Sequence, residues 1–367
     1  RQTGTTGLVM NITDYQIHRL HLPLREPIGD SQVHFTDHWI TAIELVCDDG
    51  IKGVGFDCQQ GLPTARLPSL REQFEYALWP SLSQADPLSL AMKIQRPRGG
   101  NVGCGFRTPP IETALWDLAS KQAQVPLFQL LGGTDPQVKA YGSTLDFHLN
   151  DDDFRTKLEQ MNKYGFSAFK IKVGHPDLSW DLKRLQLVRD VVGHDIHLMV
   201  DANEAWSVKE TLQRLQAYRN AGHEIFWIED PITREDYAGY ARLCSELEST
   251  RINTGEYLNI AGKRQLLVSG AVDVLNIHNS IHEGRFAAML AGEYGVPVSL
   301  GNTLLELGVH LAASLPECLY LEYSDLIWNE LAVEPIRVEQ GCAWAPQRPG
   351  HGIELDPDKV AFYAKPE

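Results

Sequence analysis

From Val138 onward the chain alternates short apolar runs with longer stretches of helical period. Eight runs read as strands: Val138 to Gly142, Ala168 to Val173, Ile196 to Val200, Ile225 to Ile228, Arg251 to Gly255, Val274 to Ile277, Pro297 to Leu300 and Cys318 to Leu321. Between them, stretches such as Trp180 to Val192, Val208 to Ala221 and Arg285 to Tyr294 carry apolar residues at helical spacing. Strands that alternate with helices predict a parallel sheet, and eight of them close it into a barrel.

The residues before this array follow a different pattern. Ile12 to Leu24, Trp39 to Val46 and Ile51 to Phe56 read as strands, the last two joined by the hairpin chemistry of Asp48-Asp49-Gly50. Arg25 to Asp37, with Pro27, Gly29 and Asp30, reads as a loop, and a second loop falls near Gln59 to Thr64. Leu70 to Leu82 and Pro110 to Leu131 have helical periodicity, the latter broken at Val125-Pro126 and closed by Gly132-Gly133. The tail from about Val333, rich in proline, reads as irregular structure packing back onto the first part of the chain, and residues 1–10 as a flexible terminus.

Several predicted barrel strands end on charge. Asp201, Glu229 and Glu256 follow one another at steps of 28 and 27 residues, about one strand plus one helix each. A parallel barrel gathers the carboxyl ends of its strands on one rim, so the three acids converge there. Each close pair would repel by roughly 1 to 4 kcal/mol without a cation, and grouped oxygen ligands argue for a hard divalent ion, Mg²⁺. One strand earlier, Lys170 and Lys172 stand at i and i+2 and point to one side of their strand, with Phe169, Ile171 and Val173 on the other.

Composition narrows the partners. A formal charge of -15 disfavours nucleic acid and anionic membranes, although local charge decides whether a small anion binds. No apolar run approaches the roughly 20 residues of a membrane helix, and the polar start lacks the apolar core of a signal peptide. Six scattered cysteines without a C-x-x-C pair suit a reducing cytoplasm.

In residue pattern and order the chain resembles the mandelate racemase and muconate lactonizing branch of the enolase superfamily. The matching pieces are Lys170-x-Lys172, Val200-Asp201-x-Asn203, Trp227-Ile228-Glu229-Asp230-Pro231 and Gly255-Glu256, with Ala114-Leu115-Trp116-Asp117-Leu118-Ala119 and Leu130-Leu131-Gly132-Gly133 further upstream. The resemblance covers nearly the whole chain. It implies a modified (β/α)8 barrel over residues 136–332, under an α+β capping domain over 11–135 that the tail, 333–367, completes. It also implies a homo-oligomer, a closed ring or dimer, and loops at Arg25 to Asp37 and Gln59 to Thr64 that select the substrate.

Enolase-superfamily sites are known for a Lys or His base that works beside Mg²⁺ to stabilise an ene-diolate. Carried over, this makes Asp201, Glu229 and Glu256 the metal ligands and Lys172 the base, its charged form disfavoured by neighbouring cations. Lys170 and Glu322 address the substrate carboxylate. The sixth strand ends at His278, where muconate-lactonizing relatives carry a second lysine and mandelate racemase relatives an aspartate. The seventh offers Asn302 in place of a histidine. His278 is read as a general acid opposite Lys172 or as a polar group for a substrate hydroxyl, and Asn203 and Asn302 as substrate-binding. The expected activity is Mg²⁺-dependent dehydration of a sugar acid, a small-molecule carboxylate, to a 2-keto-3-deoxy acid. A racemase or epimerase using His278 as second base, a cycloisomerase of a lactone or anhydro sugar acid, and a catalytically silent binder of acid sugars are the rivals.

Overall fold

The computed structural model describes residues 10–60, 74–91, 109–277, 280–301, 305–324, 326 and 330–365. The chain begins with an antiparallel sheet of three strands, β1 (Ile12–Gly29), β2 (His34–Cys47) and β3 (Lys52–Gln60). The predicted loop from Arg25 to Asp37 is corrected here: β1 runs to Gly29 and β2 resumes at His34, with Ile28 paired to Phe35 and only residues 30–33 turning. Of the arm from Pro23 to Gly29 only Ile28 is buried, so no alternation marks it as strand; cross-strand pairing makes it one. The register slips between Pro23 and Ile28, where Pro27 has no N–H to give the ladder.

The helix Pro109–Gln122 lies close on β3. That approach needs Gly53 and Gly55, since a Cβ on Gly55 would run into the Pro110 carbonyl. Asp117 on this helix accepts from the Val54 N–H at 3.0 Å. The predicted helix at Leu70 to Leu82 is present as a π-turn, Phe74–Leu78, leading into Trp79–Leu82; residues 70–73 lie outside the described set.

The eight predicted parallel strands are all present: β4 (Gln137–Ser143), β5 (Ala168–Lys172), β6 (His197–Asp201), β7 (Trp227–Glu229), β8 (Arg251–Thr254), β9 (Val274–Ile277), β10 (Val298–Leu300) and β11 (Cys318–Tyr323). They pair in sequence order, and β11 closes on β4 through Leu321↔Ala140 and Tyr323↔Gly142. Helices such as Leu178–Val192 and Val208–Asn220 connect them, capped by the side chains of Asp177 and Ser207.

The barrel interior is layered. Tyr141, Ala168, Met199, Trp227, Val274 and Tyr320 form one apolar cluster. Two residues further along each of those strands come Ser143, Lys170, Asp201, Glu229, Asn276 and Glu322, all buried. Because side chains on a strand repeat every second residue, each of these six strands carries an apolar plug below and a polar group above it. The mouth is polar by construction, over an apolar floor.

The tail is more regular than predicted. Val338–Glu339 (β12) and Cys342–Trp344 (β13) form a hairpin whose second strand pairs antiparallel with β4, through Cys342↔Lys139 and Trp344↔Gln137. The helix Pro357–Tyr363 follows, and the chain meets β1 at Leu20↔Ala364. Proline density suggested irregularity, but the hairpin is fixed by an edge that β4 offers. Among the described residues no helix is long and apolar enough to cross a membrane.

His310, buried, accepts from the Phe128 N–H at Nδ1 (3.2 Å) and donates from Nε2 to the His351 carbonyl (2.8 Å), which fixes a neutral ring. Burial pushes its pKa down to about 3, and that of His38, also buried, to about 4. The unfolded chain takes up these protons near pH 6.5 while the fold does not, so each histidine withdraws stability as pH falls through the interval between the two values. For His310 this amounts to about 2 kcal/mol by pH 5. Buried acids at the mouth work in the opposite direction, so the measurement is a difference: between pH 7 and 5, His310→Asn should lose less stability in urea than the parent protein. Equal losses would contradict it.

Candidate active site

The carboxyl ends of β5 to β8 and β11, with the tip of the β1–β2 hairpin, line one cavity of about 360 Å³. Lys170, Lys172, Asp201, Asn203, Glu229, Glu256 and Glu322 all face it, alongside Asp30 and Gln32 from the hairpin. The structure therefore brings together seven of the nine site residues expected from sequence. His278 and Asn302 lie outside the described residues.

The acids are held around the two lysines. Lys170 Nζ stands 2.7 Å from Glu229 Oε1, 3.1 Å from Glu322 Oε1 and 3.7 Å from Asp201 Oδ2. Lys172 Nζ donates to Asp201 Oδ2 and to Asn203 Oδ1, each at 2.7 Å. Among the described residues no three His, Cys, Asp or Glu side chains are close enough together to enclose an ion as they stand. The Lys170 ammonium is the charge between them.

Burial works against both lysine charges, and in both the acids prevail: Glu229 and Glu322 hold Lys170 well above its ordinary value, and Asp201 raises Lys172. A carboxylate at 2.7 Å favours the ammonium form more strongly than the neighbouring Lys170 disfavours it.

Positive charge is nevertheless short. Among the described residues Asp201, Glu229, Asp230, Glu256 and Glu322 are all buried, and the buried lysines beside these five acids are Lys170 and Lys172 in the cavity and Lys263 behind the Glu256 loop. Burial pushes Glu256 up to about 8, aided by Asp230 and Asp201. It also pushes Glu229 well above the carboxylate range, which Lys170 offsets only in part. Glu229 Oε2 has no hydrogen-bond partner among the described residues. A buried acceptor left bare beside other acids is the environment a cation relieves.

Three further residues shape the site without having been assigned a role from the sequence. Asn276 donates to Glu229 Oε1 at 3.2 Å and accepts from the Gly301 N–H at 3.1 Å. Asp146 accepts from the Lys172 backbone N–H at 3.0 Å and from the Thr144 hydroxyl at 2.6 Å, anchoring the lysine-bearing strand. Asp230 turns away from the cavity, takes the Thr254 hydroxyl at 2.5 Å, and is pushed up to about 7 by burial. Asn276 was findable, since it lies two residues beyond the floor residue Val274; Asp146 sits in a loop and has no such marker.

Residues 153–359 match the enolase C-terminal domain-like family, and residues 13–132 the N-terminal domain of mandelate racemase and muconate lactonizing enzymes. The chain belongs to the mandelate racemase and muconate lactonizing branch of the enolase superfamily. It is 34% identical to 3,6-anhydro-alpha-L-galactonate cycloisomerase of Streptomyces coelicolor over 73% of this chain and 74% of that one. A crystal structure of a provisionally named mandelate racemase from Mesorhizobium loti is 42% identical, with a TM-score of 0.90 over 97% of this chain and 95% of that one. L-talarate dehydratase from a Polaromonas species, solved with Mg and L-glucarate, is 28% identical, with a TM-score of 0.82 over 97% and 98%. The chain is an enzyme of this family, whose members named here catalyse several reactions.

Proposed function

We propose that the protein is a Mg²⁺-dependent lyase that dehydrates a sugar acid to a 2-keto-3-deoxy acid. The observation that carries this reading is a single pair of buried lysines set in a cavity with an excess of buried acid. Asp201, Glu229 and Glu256 would hold the ion: all three line the cavity, Glu229 and Glu256 are driven toward protonation by burial and by neighbouring acids, and hard oxygen donors suit Mg²⁺. When bound, the ion supplies positive charge that makes the carbon next to the substrate carboxylate acidic.

The chain's own residues do the rest. Lys170, beside Glu322, addresses the substrate carboxylate, and Asn203 orients the Lys172 amine. Further positive charge near Asp201 works against the ammonium form of Lys172, fitting it to act as base. Lys172 takes the α-proton, and the electron pair of that bond moves into the carbon frame. The bond to the β-hydroxyl then breaks, and His278, assigned this role from the sequence, protonates the departing oxygen to water. The remaining enol becomes the 2-keto acid, with Asn302 and Asn203 holding hydroxyls. Dehydration needs one base and one acid; racemisation needs bases on both faces.

Cycloisomerisation is the second reading, favoured by the cycloisomerase from Streptomyces coelicolor. A panel of acid sugars incubated with Mg²⁺ separates them: a 2-keto acid supports dehydration, and ring change without loss of water supports the alternative. The scattered cysteines, none disulfide-bonded among the described residues, suit a cytoplasmic enzyme.

Two predictions belong to this reading. Because Lys170 and Glu322 stand 3.1 Å apart where the carboxylate is addressed, an uncharged sugar amide should lose at least about 10²-fold in kcat/KM. Comparable values for acid and amide would remove the carboxylate from the mechanism. His278→Asn should dehydrate at least about 10²-fold more slowly while still exchanging the substrate α-hydrogen in D₂O; a normal rate would make the histidine a binding group only.

A further inference from the structure

The loops that follow β6, β7 and β8 each start at or beside one of the three acids assigned to magnesium, and one network joins them. Glu204 lies three residues beyond Asp201, with φ of 63°, in the left-handed region, and its N–H donates to the Asp230 carbonyl at 2.6 Å. Its carboxylate takes three donors from Arg234, five residues beyond Glu229: the backbone N–H and Nε on Oε1 at 2.6 and 2.7 Å, and Nη2 on Oε2 at 2.6 Å. The Arg234 guanidinium lies over the Tyr257 ring, 4.4 Å from its centroid, and Tyr257 adjoins Glu256. Behind that loop, buried Lys263 donates to the carbonyls of Gly255 and Leu258. Glu204, Arg234 and Tyr257 themselves wall the cavity.

These ties act across a repulsion. Five buried acids outnumber the three buried lysines beside them, Lys170, Lys172 and Lys263, so the acid-bearing loops are driven apart unless something connects them. A two-pronged guanidinium–carboxylate pair fixes distance and angle together, and the stacked ring extends the connection to the third loop.

We propose that Glu204, Arg234 and Tyr257 form a positioning clasp that sets the separation of Asp201, Glu229 and Glu256, and thereby the affinity for Mg²⁺. The proposal rests on the assignment of those acids as ligands. The test is calorimetric titration of the full chain with Mg²⁺, without substrate. Arg234→Gln should raise Kd by about 10- to 100-fold, the range for groups that orient metal ligands, and Arg234→Lys should recover part of the loss. Glu204→Gln combined with Arg234→Gln should be no worse than the worse single change, because both break one link. Tyr257→Ala, at a half-exposed ring, should raise Kd about two- to fivefold and keeps the test alive if the arginine variants do not fold. Glu229→Gln serves as the control for the ligands. If it abolishes binding while Arg234→Gln stays within twofold of the parent, or while Tyr257→Ala leaves Kd unchanged, the clasp is wrong and the ligands stand. If Glu229→Gln also binds normally, the ligand assignment falls and the clasp falls with it.

Discussion

Glu229→Gln is expected to lower Mg²⁺ affinity by at least about 10²-fold and to bring turnover below about 10⁻³ of the parent. The substitution keeps shape and removes charge. Glu229 is buried, takes Lys170 at 2.7 Å and Asn276 at 3.2 Å on one oxygen, and leaves the other without a partner among the described residues. An amide there offers one neutral acceptor in place of two anionic ones, and its NH₂ is poorly placed among the donors of Lys170 and Asn276. Calorimetry with Mg²⁺ and a turnover assay at saturating Mg²⁺ check the two parts separately. Unchanged metal binding and activity would show that the rim has been misread.

Lys172→Ala should reduce kcat by about 10²- to 10⁴-fold, the range for loss of a positioned base. Its effect on metal binding has the opposite sign from that of Glu229→Gln. Removing the amine frees Asp201 Oδ2 from a partner at 2.7 Å, so Mg²⁺ should bind as tightly as in the parent or more tightly. A variant that is inactive yet binds its ion well separates the base from the metal site. Parallel loss of both would make Lys172 a structural counter-charge for Asp201.

Much of this geometry could be read in the sequence because the barrel repeats a simple rule. Apolar runs that end on charge mark the strands, and the period of two within a strand puts Met199 and Asp201, Trp227 and Glu229, or Tyr320 and Glu322 on the same inner face, floor residue below and working residue above. The closed order of eight parallel strands followed from that pattern. What escaped depends on partners distant in the chain. The arm from Arg25 to Gly29 is too exposed to show alternation and is a strand only because β2 pairs with it. Glu204 and Arg234 are ordinary loop residues until the barrel places their loops side by side. The contacts of the Lys172 amine with Asp201 and Asn203 exist only in three dimensions, and spacing cannot express them.

The central claim, that Lys172 removes the proton next to a substrate carboxylate, is tested most directly by hydrogen exchange. The parent protein and Lys172→Ala are incubated with Mg²⁺ and a sugar acid turned over by the parent, in D₂O, and the α-hydrogen is followed by proton NMR in substrate and product. The parent should replace or remove that hydrogen, and Lys172→Ala should leave it in place over the same period. Exchange by Lys172→Ala at the parent's rate, or product from the parent that retains its original α-hydrogen, would contradict the account.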